Sequence, residues 1–314
     1  MRIVFWGTPA FSLPALRAIL GEGHEVVGVV TQPDRPAGRG HALTPPPVKR
    51  LAREEMIPVL QPERAVGPRF LAELKALQPD LSVVVAFGQI LRREIIDLPP
   101  LGTVNVHASL LPELRGAAPI QWSIMRGHEQ TGVTIMRIVE QLDAGPTIYQ
   151  VPEPIGPEET ARDLAVRLAE LGAEALVEAL ALLEAGAVHE QPQDDARATY
   201  APRLTRDIAH VDFGCSALEV DRRIRGLDDV PGAWASLGDQ DVKLFRPRPH
   251  ADHGHAAAPG TVLAAQADDV TTGLLVACGE GAVCIREVKP AGKRRMTAAD
   301  WVRGRGIAAG DRLL

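Results

Sequence analysis

Asn105, His107 and Asp143 are three side chains whose types and order suit one reaction, the transfer of an acyl group to an amine. An amine attacking a formyl carbon puts negative charge on an oxygen, must shed a proton, and must expel a nitrogen that needs one. The Asn105 carboxamide can donate an N–H to that oxygen, and removing a preorganised donor of this kind costs about 100- to 1000-fold in rate. Histidine is the side chain that takes and returns protons near neutral pH, which fits His107 to the shuttle. Asp143, within hydrogen-bond reach of His107, would fix the imidazole tautomer and stabilise the imidazolium. The acceptor amine is already a nucleophile, so Ser109 has nothing to attack. His107, Asp143 and a water all stay open as the group that first deprotonates the amine.

Taken singly, each residue has an ordinary explanation. Val104 and Val106 alternate with Asn105 and His107, as on a half-buried strand with two polar residues on one face. Asp143, beside Gly145 and Pro146, suits a turn, and Pro112 to Gly116 passes for a loop entering a helix. Their joint occurrence in this order is what points to chemistry.

Apolar runs recur at Ile3–Trp6, Val26–Val30, Leu81–Phe87, Val104–Val106 and Val133–Val139, separated by helix-like segments such as Pro14–Leu20 and Arg69–Leu77. Strands alternating with helices predict an α/β fold with a doubly wound, mostly parallel sheet. Ligands of such sheets sit beyond the carboxyl ends of the strands. Asn105 and His107 close one strand and Asp143 follows another, so a shared crevice is expected. Gly7-Thr8-Pro9 after the first strand lacks the glycine-rich dinucleotide fingerprint, so no nicotinamide or flavin is expected.

The amphipathic stretch Glu158–Glu184, with Leu164, Leu168, Leu171, Ala175, Leu176 and Leu180 at helical spacing, closes a first domain over residues 1–188. Gln191-Pro192-Gln193-Asp194-Asp195 is polar and aperiodic, which reads as a linker over 189–205. Residues 206–314 carry a helix at Ser216–Leu227 and short strands near Val242–Phe245, Gly260–Ala264, Gly273–Ala277 and Ala282–Val288. A smaller C-terminal β-barrel domain fits them, the oligonucleotide-binding type among the candidates.

The run Asn105–Ile120 (NVHASLLPELRGAAPI), with Gly132–Met136 and Leu142–Gly145 after it, resembles the folate-dependent formyltransferases. Phe5–Pro9, Thr31–Gly40 and Lys289–Lys293 extend the resemblance over essentially the whole chain, toward the branch that acts on a charged tRNA. The resemblance implies the same two-domain architecture, with Asn105, His107 and Asp143 as the catalytic trio. It implies that Ser109, Leu110, Leu111 and Pro112 hold the folate, that 10-formyltetrahydrofolate is the formyl donor without any metal, and that methionyl-initiator tRNA is the acceptor. It also implies that the loop carrying Arg39 enters the acceptor arm of that tRNA. A formyltransferase for an amino sugar nucleotide would use the same trio, and a non-catalytic RNA-binding protein on an enzyme scaffold would need none of it.

A formal net charge of −6 argues against bulk affinity for nucleic acid, so contacts with RNA must be local. One place is Gln32–Pro47, where Arg35, Arg39 and His41 sit among five prolines and two glycines in a segment too long for an ordinary connection. The other spans Arg286, Lys289, Lys293, Arg294 and Arg295, five basic residues against Glu287, a stretch suited to the tRNA backbone.

The length of 314 residues suggests two domains, and 46% hydrophobic with 24% charged residues is the composition of an ordinary soluble protein. The opening strand pattern follows no secretory leader and no apolar run approaches a membrane span, so a cytosolic protein without a membrane partner is expected. Cys215, Cys278 and Cys284 match no disulfide framework or zinc spacing. His250, His253 and His255 read as a polar loop. A monomer is expected, because no long apolar seam is present.

Overall fold

The computed structural model describes residues 1–37, 42–266 and 273–314. Arg39 and His41 lie outside the described residues. The chain divides into two compact units that interleave along the sequence. One comprises residues 1–119, 130–154 and 165–201, and the other residues 120–129, 155–164 and 202–314.

The strands of the first unit are β1 (Arg2–Gly7), β2 (Glu25–Val30), β3 (Arg35–Ala37), β4 (Ala42–Thr44), β5 (Val59–Leu60), β6 (Leu81–Val85), β7 (Thr103–His107), β8 (Arg115–Gly116), β9 (Gln130–Arg137), β10 (Thr147–Pro154) and β11 (Tyr200–Ala201). Its helices are α1 (Leu13–Gly21), α2 (Pro47–Glu54), α3 (Pro68–Ala76) and α4 (Arg93–Ile96); α5 (Pro119–Met125) and α6 (Ala161–Glu184) run across the division. Seven strands make one sheet in the order β10-β9-β7-β6-β1-β2-β5. The five from β5 to β7 are parallel, while β9 runs antiparallel to β7 and β10 antiparallel to β9. Buried on both faces, β1 and β6 read as near-continuous apolar runs, interrupted in β6 only by Ser82, as parallel strands do. On one face Trp6 packs edge to face against Phe70 and Phe87, at 5.9 and 5.2 Å between ring centroids.

The edge strand β10 has no continuous apolar run and contains Pro152 and Pro154, so its sequence does not read as a strand. Proline is tolerated there because an edge strand needs only one set of ladder bonds. Gln32–Pro47 likewise contains a hairpin, with Arg35 opposite Thr44 and Ala37 opposite Ala42. At its base the buried Lys49 ammonium lies 2.7 Å from Asp34, whose carboxylate also accepts a bond from Gln61.

Helix α6 buries Leu164, Leu168, Ala175, Leu176 and Leu180. Leu171 is only half-buried, because the closest approach to the sheet is made by Gly172, where a Cβ would stand 3.0 Å from Val106. Val106 therefore faces α6. Asn105 and His107, one pleat away on either side, face the opposite side of the sheet.

In the second unit, β12 (Trp234–Leu237), β13 (Gln240–His250), β14 (Val262–Ala265), β15 (Leu274–Ala277), β16 (Ala282–Pro290) and β17 (Met296–Thr297) are joined by α7 (Ala217–Gly226) and α8 (Ala298–Arg303). The sheet is antiparallel in the order β12-β13-β16-β15-β14, with β17 on β16. It forms a half-barrel. Residues 310–314 span its two edges, with Leu313 bridged to Leu237 of β12 and Arg312 to Thr261 beside β14. Helix α7 begins at a reciprocal capping box between Ser216 and Glu219 and buries Val220 and Ile224 in the core. Among the described residues no helix is long and apolar enough to cross a membrane.

Candidate active site

His107 ends β7 with its side chain 6% exposed. Its Nε2 lies 3.0 Å from the Leu114 carbonyl oxygen. A carbonyl can only accept, so Nε2 carries the hydrogen, and in the neutral ring Nδ1 presents its lone pair. That lone pair looks toward Asp143, whose Oδ2 stands 3.8 Å away. The distance is too long for a hydrogen bond but close enough for an imidazolium to feel the carboxylate. The direct bond expected between the two is thus replaced: Leu114 sets the tautomer, and Asp143 supplies charge.

The route by which Asp143 reaches His107 also differs from expectation. Because β9 is antiparallel to β7, its end at Arg137 lies beside Val104, while His107 lies beside Thr134. The 138–146 connection folds back to bring Asp143 to His107, so the meeting is not made at neighbouring carboxyl ends. Two features pin the fold-back. Asp143 takes a left-handed backbone (φ +49°), which aspartate tolerates better than most residues. Gly145 stands where a Cβ would overlap the Arg137 carbonyl oxygen.

Asp143 Oδ2 accepts a bond of 2.8 Å from the Gly116 backbone N–H. Gly116 has φ +121°, and a Cβ there would come 2.7 Å from the Ala201 carbonyl oxygen, because β8 pairs with β11. Leu114 is itself left-handed (φ +59°), a conformation that costs a leucine roughly 1–2 kcal/mol. The Thr199 hydroxyl accepts its N–H at 2.9 Å and helps hold it there. The segment expected as a linker therefore supports the site. Its Gln193 side chain donates to the carbonyls of Asp143 and Gly145, at 2.9 and 2.7 Å.

Asn105 is half-buried and lies between Val84 of β6 and Met136 of β9. Among the described residues its carboxamide has no hydrogen-bond partner, so its donors are unspent. The loop after His107 is firmly held. Thr134 bridges the Ser109 carbonyl and the Leu111 N–H at 2.7 and 3.1 Å, and Gln150 donates to the Leu111 carbonyl at 2.9 Å. Ser109 and Leu111 are buried, and the Ser109 hydroxyl is committed to the Glu113 carbonyl, which removes it as a nucleophile. Leu110 and Pro112 are the half-buried side chains of this loop.

In the second unit, Lys289, Lys293 and Arg294 are exposed. Lys289 lies directly across from Lys243, whose ammonium is pushed down by burial and then by the Lys289 charge. Arg295 behaves differently from its neighbours. Its guanidinium pairs with Glu287 at 2.5 Å and Asp228 at 3.4 Å and lies 4.0 Å from the Phe245 ring centroid. His255 binds the Gly281 carbonyl at 2.8 Å, and no cluster of three metal-ligating side chains occurs among the described residues.

Sequence reasoning singled out the trio but passed over Leu114, Thr199 and Gln193. No periodicity marks them, because their contribution is a carbonyl, a cap and a carboxamide in irregular backbone.

The profile of the Formyl transferase family matches residues 1–180, and that of the Formyl transferase, C-terminal domain, matches residues 203–306. The methionyl-tRNA formyltransferase of Halorhodospira halophila is 49% identical over 310 residues, covering 99% of this chain and 98% of its own. That of Bacillus subtilis is 46% identical over 311 residues, covering 99% of this chain and 96% of its own. Among solved structures, HypX from Aquifex aeolicus in complex with tetrahydrofolic acid superposes with a TM-score of 0.67 at 21% identity. It covers 96% of this chain, which spans 47% of that structure's length.

Proposed function

This chain belongs to the formyl transferase family, and on that premise we propose that it transfers the formyl group of 10-formyltetrahydrofolate to the free α-amino group of methionyl-initiator tRNA. Relatives named for that reaction match it from end to end, which supports the charged tRNA as acceptor over an amino sugar nucleotide. The observation that carries the chemistry is the imidazole of His107, with Nδ1 open toward Asp143 on the strand face it shares with Asn105.

The folate supplies the formyl carbon and the nitrogen that leaves. Asn105 directs its unspent N–H to the formyl oxygen as negative charge builds there, with His107 as its neighbour two residues on. His107 Nδ1 moves the proton between the attacking amine and the leaving nitrogen. Asp143 stands 3.8 Å from the nitrogen that carries the proton, and the Leu114 carbonyl stops the ring from turning over between steps. Ser109 to Pro112 offers the folate a rigid wall, with Leu110 and Pro112 as its half-buried contacts.

The first unit carries this transfer and the second holds the tRNA through Lys289, Lys293 and Arg294, with Arg295 bracing that face from within. Arg39 is proposed as a contact to the acceptor arm on the family resemblance; the paired strands β3 and β4 before and after it are tied at their base by Asp34 and Lys49. The protein works as a monomer in the cytoplasm, where charged tRNA is made. The test is an assay with 10-formyltetrahydrofolate and either methionyl-initiator tRNA or a 4-amino sugar nucleotide. Formylation of the tRNA alone is expected, and formylation of the sugar alone would overturn the proposal.

A further inference from the structure

Gln193 lies in the polar stretch after α6, yet its carboxamide is spent entirely inside the first unit. Its Oε1 accepts two bonds from Arg115, from Nε at 3.1 Å and Nη2 at 2.8 Å. Its Nε2 donates to the carbonyls of Asp143 and Gly145, with the Met136 sulfur 3.9 Å away. A guanidinium has donors only, so Arg115 fixes which end of the amide is oxygen. Arg115 is itself 1% exposed and is anchored further by Asp195 at 2.8 Å. Both amide hydrogens are thereby aimed at the fold-back that carries the carboxylate.

We propose that Gln193, oriented by Arg115, is a positioning residue that sets the place of Asp143 relative to His107. The inference rests on the proposed role of the Asp143–His107 pair. That pair is separated by 3.8 Å, with Asp143 on a left-handed residue in a connection that turns back on its own strand. The other bonds of the connection lie at its ends or within it: the Gly116 N–H holds Asp143, the Arg137 N–H donates to the Pro146 carbonyl and the Ile138 N–H to the Thr103 carbonyl, both at 2.9 Å, and the Ala144 N–H to the Gln141 carbonyl at 3.4 Å. Without the two Gln193 bonds, the carboxylate keeps its tie to Gly116 but loses the clamp on its main chain. Misplacing a reacting group by about 1 Å costs on the order of 100-fold in rate.

Gln193→Glu separates this role from a structural one. Glutamate still accepts from Arg115, so that contact persists, but it turns an acceptor oxygen toward two carbonyl oxygens and donates to neither. The expected result is a fall in kcat of about 10- to 100-fold, with KM for donor and tRNA changed less than about threefold. The melting temperature falls modestly, and amide exchange in 138–146 speeds up while β9 and β10 stay protected. In an Asp143→Asn background the same change is expected to add less than about twofold, since the two residues act as one unit.

Unchanged kcat in Gln193→Glu, with Asp143→Asn depressed, would overturn the inference and leave the active-site reading standing. Full kcat in Asp143→Asn would remove that reading and the inference with it. A full additional loss in the double mutant would show that Gln193 acts elsewhere. Should the glutamate variant fail to fold, Gln193→Met removes both donors without adding charge; because it also takes an acceptor from Arg115, a lower melting temperature is expected there, and a loss of kcat that vanishes in the Asp143→Asn background is the test.

Discussion

The hydrogen-bond partner of His107 is the main-chain oxygen of Leu114, at 3.0 Å, and the carboxylate of Asp143 stands back at 3.8 Å. A carbonyl stays an acceptor at every pH, so it holds one ring nitrogen in its protonated form throughout a reaction cycle. The other nitrogen faces the Asp143 carboxylate. Tautomer control and charge stabilisation, often supplied by one carboxylate, are divided here between two groups.

Removing either polar member of β7 is expected to damage chemistry more than binding. Asn105→Ala and His107→Ala should each lower single-turnover formylation by about 100- to 1000-fold while changing the dissociation constant for folate little. Rapid-quench kinetics beside equilibrium titration with a folate would check this. A loss confined to folate binding would contradict the assigned roles.

Gly116→Ala is expected to harm both stability and turnover. The added Cβ meets the Ala201 carbonyl oxygen at 2.7 Å at a residue with φ +121°. Relief requires β8 to move from β11, and the N–H that holds Asp143 moves with it. A cost of about 1–3 kcal/mol in urea unfolding and a lowered kcat should appear together.

The basic stretch of the second unit should split into two classes. Lys289→Ala, Lys293→Ala and Arg294→Ala are expected to weaken tRNA binding with little change in melting temperature. For every phosphate no longer neutralised, the slope of log affinity against log salt should become shallower by about 0.7–0.9. Arg295→Ala should instead lower the melting temperature, because it strands the buried Asp228 and uncovers Phe245. Filter binding across a salt series and thermal melts distinguish the two.

The thiols should be unreactive in the folded protein. Burial pushes Cys278 up to about 12 and also raises Cys284, while Cys215 is raised by burial and then by the charges of Asp212 and Glu219. At about pH 8 the thiolate fraction of Cys278 is on the order of one in ten thousand. Alkylation followed by mass spectrometry should label the three cysteines quickly only after denaturation. Fast labelling of native Cys278 would disagree with its burial.

Acid should loosen the base of the β3–β4 hairpin. The Gln61 and Lys49 contacts hold the Asp34 carboxyl below its ordinary 3.8, so the folded state keeps it ionised at lower pH than the unfolded state does. The stability this gives is complete above the unfolded value and is lost as pH falls through the folded one. Asp34→Asn is therefore expected to lower the melting temperature at neutral pH and to matter less in acid well below 3.8. Equal effects at both would point to packing instead of charge.

Much of this protein is decided by side-chain type along the chain. Near-continuous apolar runs at β1, β2 and β6 announce parallel strands, since a strand covered on both faces needs no polar alternation. The alternation of valines with Asn105 and His107 already puts both polar groups on one face of β7. The leucine repeat of α6 and the capping box of α7 carry their helices, because both are local rules of spacing. The family likeness is local in the same sense, a matter of which residues follow one another.

What folding alone decides is where irregular backbone goes. Sequence order cannot show that β9 runs against β7, because a strand's direction depends on how its connection closes in space. Asp143 therefore reaches His107 by a fold-back whose path is set by Gly145, Gly116 and the two donors of Gln193. The partner of the imidazole is a carbonyl, which every residue possesses and no residue type advertises. It is selected only by the left-handed turn at Leu114 and by a hydroxyl 85 positions further on, at Thr199.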